Sequence, residues 1–246
     1  FYLLPGPTTI DAQSAWDLTT GSSAVVVAVL DTGSTPHADL AGRLLPGYDF
    51  VANFTYSNDG NAKDAVGTYR DADASDPGDW VSALDLSGPL VGSPCDTPRD
   101  SSWHGTSVMG AIAANADNGS YVTGVDWNAR ILPVRVLGKC YGEDIDAADG
   151  IAWAAGVAVP NAPPNAHPAH VINLSLGDPG ACPQFFREAI DAAFARGVTR
   201  AVVASAGNQA SGGDHFPSSC PGALSIGVSE VYGDDQVGGR VILTTT

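Results

Sequence analysis

Apolar positions in this chain come in short uniform runs. The first is Val25 to Leu30, six apolar residues that lead straight into Asp31-Thr32-Gly33-Ser34. A run so short and so uniformly apolar predicts a strand buried on both faces of a parallel sheet. Asp31 then falls at the strand's carboxyl end, the edge where open α/β sheets gather their ligands. An acid there is either desolvated at a cost or held by a partner. Similar patterns predict strands over Leu44–Val51, Ile131–Leu137, Val171–Leu176, Ala201–Ala206 and Ala223–Ser229. Helices are predicted over Ile10–Leu18, with Asp11 as cap, over His104–Ala114, and over Pro183–Ala195, closed by Arg196 and Gly197. A further helix over Asp144–Ala155 sets Ile145, Ala148, Ile151, Ala152 and Ala155 on one apolar face. Strands alternating with helices predict an α/β fold, a three-layer, doubly wound, mainly parallel sheet.

Two stretches break the pattern. Residues 1–9, with two prolines and a glycine, read as extended. Asn53–Ser102 is rich in Asp, Gly, Ser and Pro and shows no period, so it is predicted irregular. Irregular stretches of that length are usually functional or tied down by something else. A shorter loop, Val157–Ala169, is rich in Pro and Asn.

Composition narrows the setting. The chain's 246 residues are enough for one large domain or two small ones. Its longest apolar runs are too short to cross a bilayer, and no basic-then-apolar leader opens it. Against 27 Asp and Glu stand 11 Lys and Arg, a net charge of -16, which argues against nucleic acid and anionic membrane as partners. The Asp excess suits calcium and, equally, a solvated acidic surface. Cys95, Cys140, Cys182 and Cys220 form no C-x-x-C pair, which speaks against a zinc cage. An even number of scattered cysteines fits disulfides in an oxidising compartment, with all three connectivities open.

Candidate chemistry sits at the strand ends. Asp31, Ser175-Leu176-Gly177 and Gly207-Asn208 all fall on the carboxyl edge, and His104 opens a helix. An Asp that orients a His is the front half of a nucleophilic hydrolase site. A helix amino terminus lowers the imidazole pKa and a carboxylate raises it, a balance that leaves a base near working pH. An Asn amide nearby can donate to an oxyanion. Taken singly, each of these reads as a cap or a turn.

Together they resemble a family. Val-Ala-Val-Leu-Asp31-Thr-Gly is similar to the aspartate motif of subtilisin-like serine peptidases. His104-Gly-Thr-Ser-Val-Met-Gly resembles their histidine motif, Val-Ile-Asn-Leu-Ser175-Leu-Gly177 their substrate-pairing segment, and Val-Ala-Ser-Ala-Gly-Asn208 their oxyanion motif. The order along the chain is the family's, and the secreted bacterial branch fits best. The resemblance implies that Asp31 orients His104, that His104 is general base and then general acid, and that Asn208 is the oxyanion donor. It implies that Ser175, Leu176, Gly177, Ala206 and Gly207 line the groove, with Lys139, Cys140, Tyr141 and Gly142 as the opposite edge. An extended peptide of a protein substrate, or the protein's own propeptide, would insert between these edges.

The family's nucleophile lies on a later Gly-Thr-Ser-Met-Ala-x-Pro helix, and no such stretch occurs here. Gly105-Thr106-Ser107 belongs to the histidine helix instead. The expectation is therefore a catalytic domain, 1–246, that is C-terminally incomplete, with 231–246 a tail departing from the family pattern. The implied activity is a secreted, extracellular serine endopeptidase whose Ser lies outside this sequence. The rival is a non-catalytic relative that binds extended peptides.

The resemblance also favours structural calcium and no organic cofactor. The candidate ligands are the carboxylate-dense turn Asp71, Asp73, Asp76 and Asp79, and Asp39 with the Asp117-Asn118 loop as partner. It suggests the pairings Cys95 with Cys140 and Cys182 with Cys220. His167 and His170 find no third zinc ligand, and the sequons at Asn53 and Asn118 are of a kind common by chance.

Overall fold

The apolar run folds as the central strand β1, Val26–Asp31, of a mainly parallel sheet in the computed structural model. The structure describes residues 3, 9–60, 63, 67–120, 122–208 and 214–227, and the backbone of 243–244. The other strands are β2 (Tyr48–Asp49), β3 (Arg130–Arg135), β4 (Val171–Leu174), β5 (Asp178–Pro179), β6 (Ala201–Ser205), β7 (His215–Phe216), β8 (Ala223–Ile226) and β9 (Leu243–Thr244). The main sheet runs β2-β3-β1-β4-β6-β8-β9, parallel except for β9, and β5 pairs with β7 in a separate antiparallel ladder. Strand order reverses between β1 and β4, which opens a crevice at their carboxyl ends. Asp31 stands on one side of it, and Ser175 follows β4 on the other.

The six helices are α1 (Ala12–Trp16), α2 (Phe54–Ser57), α3 (Ala83–Leu86), α4 (His104–Ala113), α5 (Asp144–Ala154) and α6 (Gln184–Ala195) among the described residues. Alternation along β1 divides them between the two faces. Ala28 and Leu30 join the core beneath α5 and α6, with Leu132, Val134, Ile172 and Ile190. Val27 and Val29 face the other way, onto Met109 and Ala113 of α4. A sheet covered on both faces has no alternating polar positions to show, hence the uniform runs in the sequence. No helix of the described residues is long and apolar enough to cross a membrane.

Several sequence expectations shift. Leu44–Val51 yields only the two-residue β2, because Pro46-Gly47 interrupts it; a Cβ on Gly47 would lie 2.1 Å from the Pro133 carbonyl. Asp11 sits at the start of α1 but makes no capping hydrogen bond. Asn53–Ser102 contains α2 and α3, the latter opened by a capping box between Ser82 and Asp85. On α5 the inward face holds Ala148, Ile151 and Ala155 as expected, but not Ile145. Ile145 is 47% exposed and Asp146 is buried, because Arg70 reaches its carboxylate at 2.5 Å. β8 is described to Ile226, and the 231–246 tail lies outside the described residues except for the β9 backbone.

Candidate active site

β1 delivers Asp31 to the sheet edge fully buried. Both of its carboxylate oxygens lie within hydrogen-bond distance of His104 Nδ1, at 2.8 and 2.9 Å, and Oδ1 also accepts from Thr32 N at 2.8 Å. A carboxylate on Nδ1 fixes the neutral tautomer with its lone pair on Nε2. The hydrogen bond to Asp31 raises the His104 pKa above the ordinary imidazole value; burial opposes it, and the charges of Asp31 and Asp79 add to it. The balance expected from sequence is resolved in favour of the carboxylate. His104's side chain is 46% exposed, so solvent moderates the effect.

α4 reaches this point because its second residue is glycine. A Cβ on Gly105 would meet the Gly33 carbonyl at 2.3 Å and the Asp31 Cβ at 3.2 Å. Only glycine lets the helix start so close to the end of β1. Ser107 of the Gly105-Thr106-Ser107 run is turned back on the helix, its Oγ donating to the Trp103 carbonyl at 3.2 Å.

His104 opens onto a cavity of about 740 Å³. Ser175, Leu176, Gly177 and Asn208 line one side, and Cys140, Tyr141 and Gly142 line the other. Six expected groove residues and the expected oxyanion donor Asn208 therefore come together with His104. Three do not. Lys139 is turned away, its ammonium 3.1 Å from Asp85 and over the Trp80 ring. Ala206 and Gly207 stand at the end of β6 outside the lining, with Ala206 N bonded to Ile226 O. The edge at Cys140 is braced by the Cys95–Cys140 disulfide and by a 2.7 Å contact between the Tyr56 and Tyr141 hydroxyls. Cys182–Cys220 is the second disulfide.

Sequence reasoning missed Thr32, Arg99, Phe216 and Pro217 as cavity residues and gave Asp79 to a metal. Only Thr32, beside Asp31, carried a signal in the sequence.

The acidic turn does not form a cation cage. Asp71 and Asp73 accept from backbone N–H groups two residues on, Asp76 from Thr32 Oγ1 and Gly78 N, and Asp79 from Ser102 N and Oγ. No group of three His, Cys, Asp or Glu side chains is placed to hold a metal among the described residues. Asp39 differs. It is buried, accepts from Asn118 Nδ2 at 2.7 Å and Val122 N at 3.4 Å, and has no cationic side chain paired with it among the described residues.

This arrangement can take a proton from a nucleophile and hold the resulting imidazolium beside a cleft. The profile described as the subtilase family matches residues 22–236. The chain belongs to the subtilase family. As a subtilase it is 43% identical, over 91% of its length, to an extracellular protease of Xanthomonas campestris pv. campestris. It is 41% identical, over the same share, to an extracellular basic protease of Dichelobacter nodosus. The chain spans 36% of the length of each of these relatives. A solved structure of proteases from Pseudoalteromonas arctica PAMC 21717 superposes with a TM-score of 0.79 at 38% identity, covering 96% of this chain and 74% of that one. The family match extends into the 231–246 stretch.

Proposed function

We propose that this subtilase chain carries the base, its orienting acid and the oxyanion donor of a secreted serine endopeptidase. The observation that carries the reading is the Asp31–His104 pair, with a buried carboxylate on Nδ1 and the imidazole on a groove. His104 Nε2 takes the serine hydroxyl proton as Oγ attacks the scissile carbonyl. Asp31 stabilises the imidazolium so formed, and Asn208 donates to the oxyanion. His104 then gives that proton to the leaving amine, the C–N bond breaks, and an acyl-enzyme is left for water. The nucleophile in this reading is a serine outside residues 1–246. The substrate is an extended segment of a protein, paired between residues 140–142 and 175–177. Secretion is supported by the two disulfides and by relatives named extracellular.

Calcium enters as a structural ion away from the cleft. Asp39, a buried carboxylate without a paired cation among the described residues, is its ligand, and the 117–120 loop supplies further oxygens.

The test is labelling by a fluorophosphonate in the protein expressed from its natural reading frame. One serine outside 1–246 should be labelled, and His104→Ala should abolish both labelling and peptide hydrolysis. A labelled serine within 1–246 would overturn the nucleophile assignment. Peptide binding without labelling or turnover would support the binding-protein alternative.

A further inference from the structure

The turn that sequence assigned to calcium reaches the catalytic helix instead. Asp76 Oδ2 accepts from Thr32 Oγ1 at 2.6 Å, and that same oxygen of Thr32 accepts from Gly105 N at 3.1 Å. Asp79 Oδ2 accepts from Ser102 Oγ at 2.9 Å, and Ser102 Oγ accepts from His104 N at 3.3 Å. Two buried carboxylates three residues apart thus sit behind two hydroxyls, which meet the first two N–H groups of α4. The first N–H groups of a helix have no partner within it. A side-chain hydroxyl satisfies one only if its lone pair, not its proton, faces the helix. A carboxylate behind each hydroxyl enforces that orientation, because it can only accept.

We infer that Asp76 and Asp79 are positioning residues for His104, acting through Thr32 and Ser102 as a two-point clamp on the start of α4. The inference rests on the reading of His104 as the base.

The backbone shows what the clamp opposes. Trp103, the residue before His104, is held at φ 51°, ψ 34°, a left-handed conformation that a bulky side chain seldom takes. Such a residue persists only where its surroundings over-determine it, and it is characteristic of functional sites. Here Ser102 is fixed on one side by both Asp79 oxygens, which take its N–H and its hydroxyl. Gly105 is fixed on the other by Thr32, whose own N–H is bound to Asp31. The Asp76 turn is carried to this place by Gly33. A Cβ there would meet the Ala74 carbonyl at 2.7 Å, and next to it Ser34 N donates to the Ala74 carbonyl while the Ser34 carbonyl accepts from Asp76 N. One clamp arm therefore runs through the orienting acid's neighbour to the Gly105 amide, and the other ends on the base's own amide. Release of either lets the imidazole drift from Asp31.

The test uses Ser102→Ala and Thr32→Val, which cut the relays and leave both carboxylates, with Ser102→Thr and Thr32→Ser as hydroxyl-keeping controls. Each is measured in the protein expressed from its natural reading frame, by peptide hydrolysis and by the NMR titration of the His104 ring. The cut variants should lose up to about 100-fold in kcat with KM little changed, as expected for a small misplacement of a reacting group. Their His104 ring should titrate at lower pH than in the parent, and the hydroxyl-keeping controls should recover most of both effects. Parental kcat and ring titration in both cut variants would overturn the clamp. Should a cut variant fail to fold, Asp76→Asn is read in the same way. Its amide can turn the Thr32 proton toward the helix, and an unchanged kcat and ring titration would overturn the clamp. Failure of the catalytic reading is separately visible. Hydrolysis that survives His104→Ala would remove the base assignment, while the ring titration still reports on the clamp.

Discussion

Two charged pairs stand side by side at the carboxyl edge of the sheet. Asp31 ends β1 and pairs with His104; Arg135 ends β3, in register with Asp31, and pairs with Asp49 of β2. Asp31, Asp49 and Arg135 are all buried. The difference lies in the partners. Arg135 is sealed in, with Asp49, Asp59 and the Ser57 carbonyl around its guanidinium, and it never loses its proton. His104 is half open to the cleft and can lose its proton. A sealed pair can hold structure but, closed to solvent, has no opening through which to pass a proton to a substrate. The half-open pair with a titratable partner can do both. The comparison teaches that burial of the acid does not distinguish catalysis from architecture, whereas exposure and titration of its partner do.

The largest expected effect lies on the open pair. Asp31→Asn preserves shape but permits the wrong imidazole tautomer, and turnover of the protein expressed from its natural reading frame should fall by roughly four orders of magnitude. Thermal melting should move far less. On the sealed pair the pattern should reverse. Arg135→Ala leaves the Asp49 carboxylate buried without its cation, and denaturant unfolding should show a loss of about 3–5 kcal/mol. Activity per folded molecule should stay near the parent value.

An intermediate case is Gly105→Ala, which touches the open pair through packing alone. The new methyl is forced against the Gly33 carbonyl, and overpacking of this kind costs about 1–3 kcal/mol. Since the helix must give way at His104, turnover should fall with stability, unlike in Arg135→Ala. A variant that kept full turnover would show that the close approach of α4 to β1 is not needed to place the base.

The smallest effect is in pH dependence, and its sign follows from the Asp31 contact. The native state holds the His104 proton more tightly than the unfolded chain does. The pair therefore adds stability at pH below the imidazole range, and that increment disappears as pH rises through the raised native value. Catalysis needs the unprotonated ring, so the acid limb of kcat/KM should lie above the ordinary imidazole pKa. Without the Asp31 charge it should move to lower pH. Added salt should shrink the shift, because the ring is half exposed.

What was legible in the sequence follows the same division. β1 and the site at its end could be read because burial on both faces leaves a uniform apolar run that stops at Asp31. Strand ends and a helix start placed Asn208 and His104 near that site, and the resemblance supplied their roles and the cysteine pairing, which periodicity could not give. The sealed interactions were not legible. Asp146 faces inward because of Arg70, 76 residues away, and the period of α5 alone put Ile145 there instead. Asp76 and Asp79 looked like cation ligands because their actual partners, Thr32 and Ser102, lie 44 and 23 residues off. A carboxylate's partner is a tertiary fact, and an acidic turn with the wrong partner assumed reads as a metal site. Lys139, expected on the groove edge, is drawn away for the same reason, since Asp85 comes from the irregular stretch.

The most direct test of the account is kcat/KM against pH for the parent and Asp31→Asn, in the protein expressed from its natural reading frame. The account predicts a parent profile whose acid limb lies above the ordinary imidazole pKa, and a variant slower by roughly four orders of magnitude with that limb displaced to lower pH. A variant with parental rates and an unmoved limb would contradict it, and would place the Asp31–His104 pair with Asp49–Arg135 as architecture.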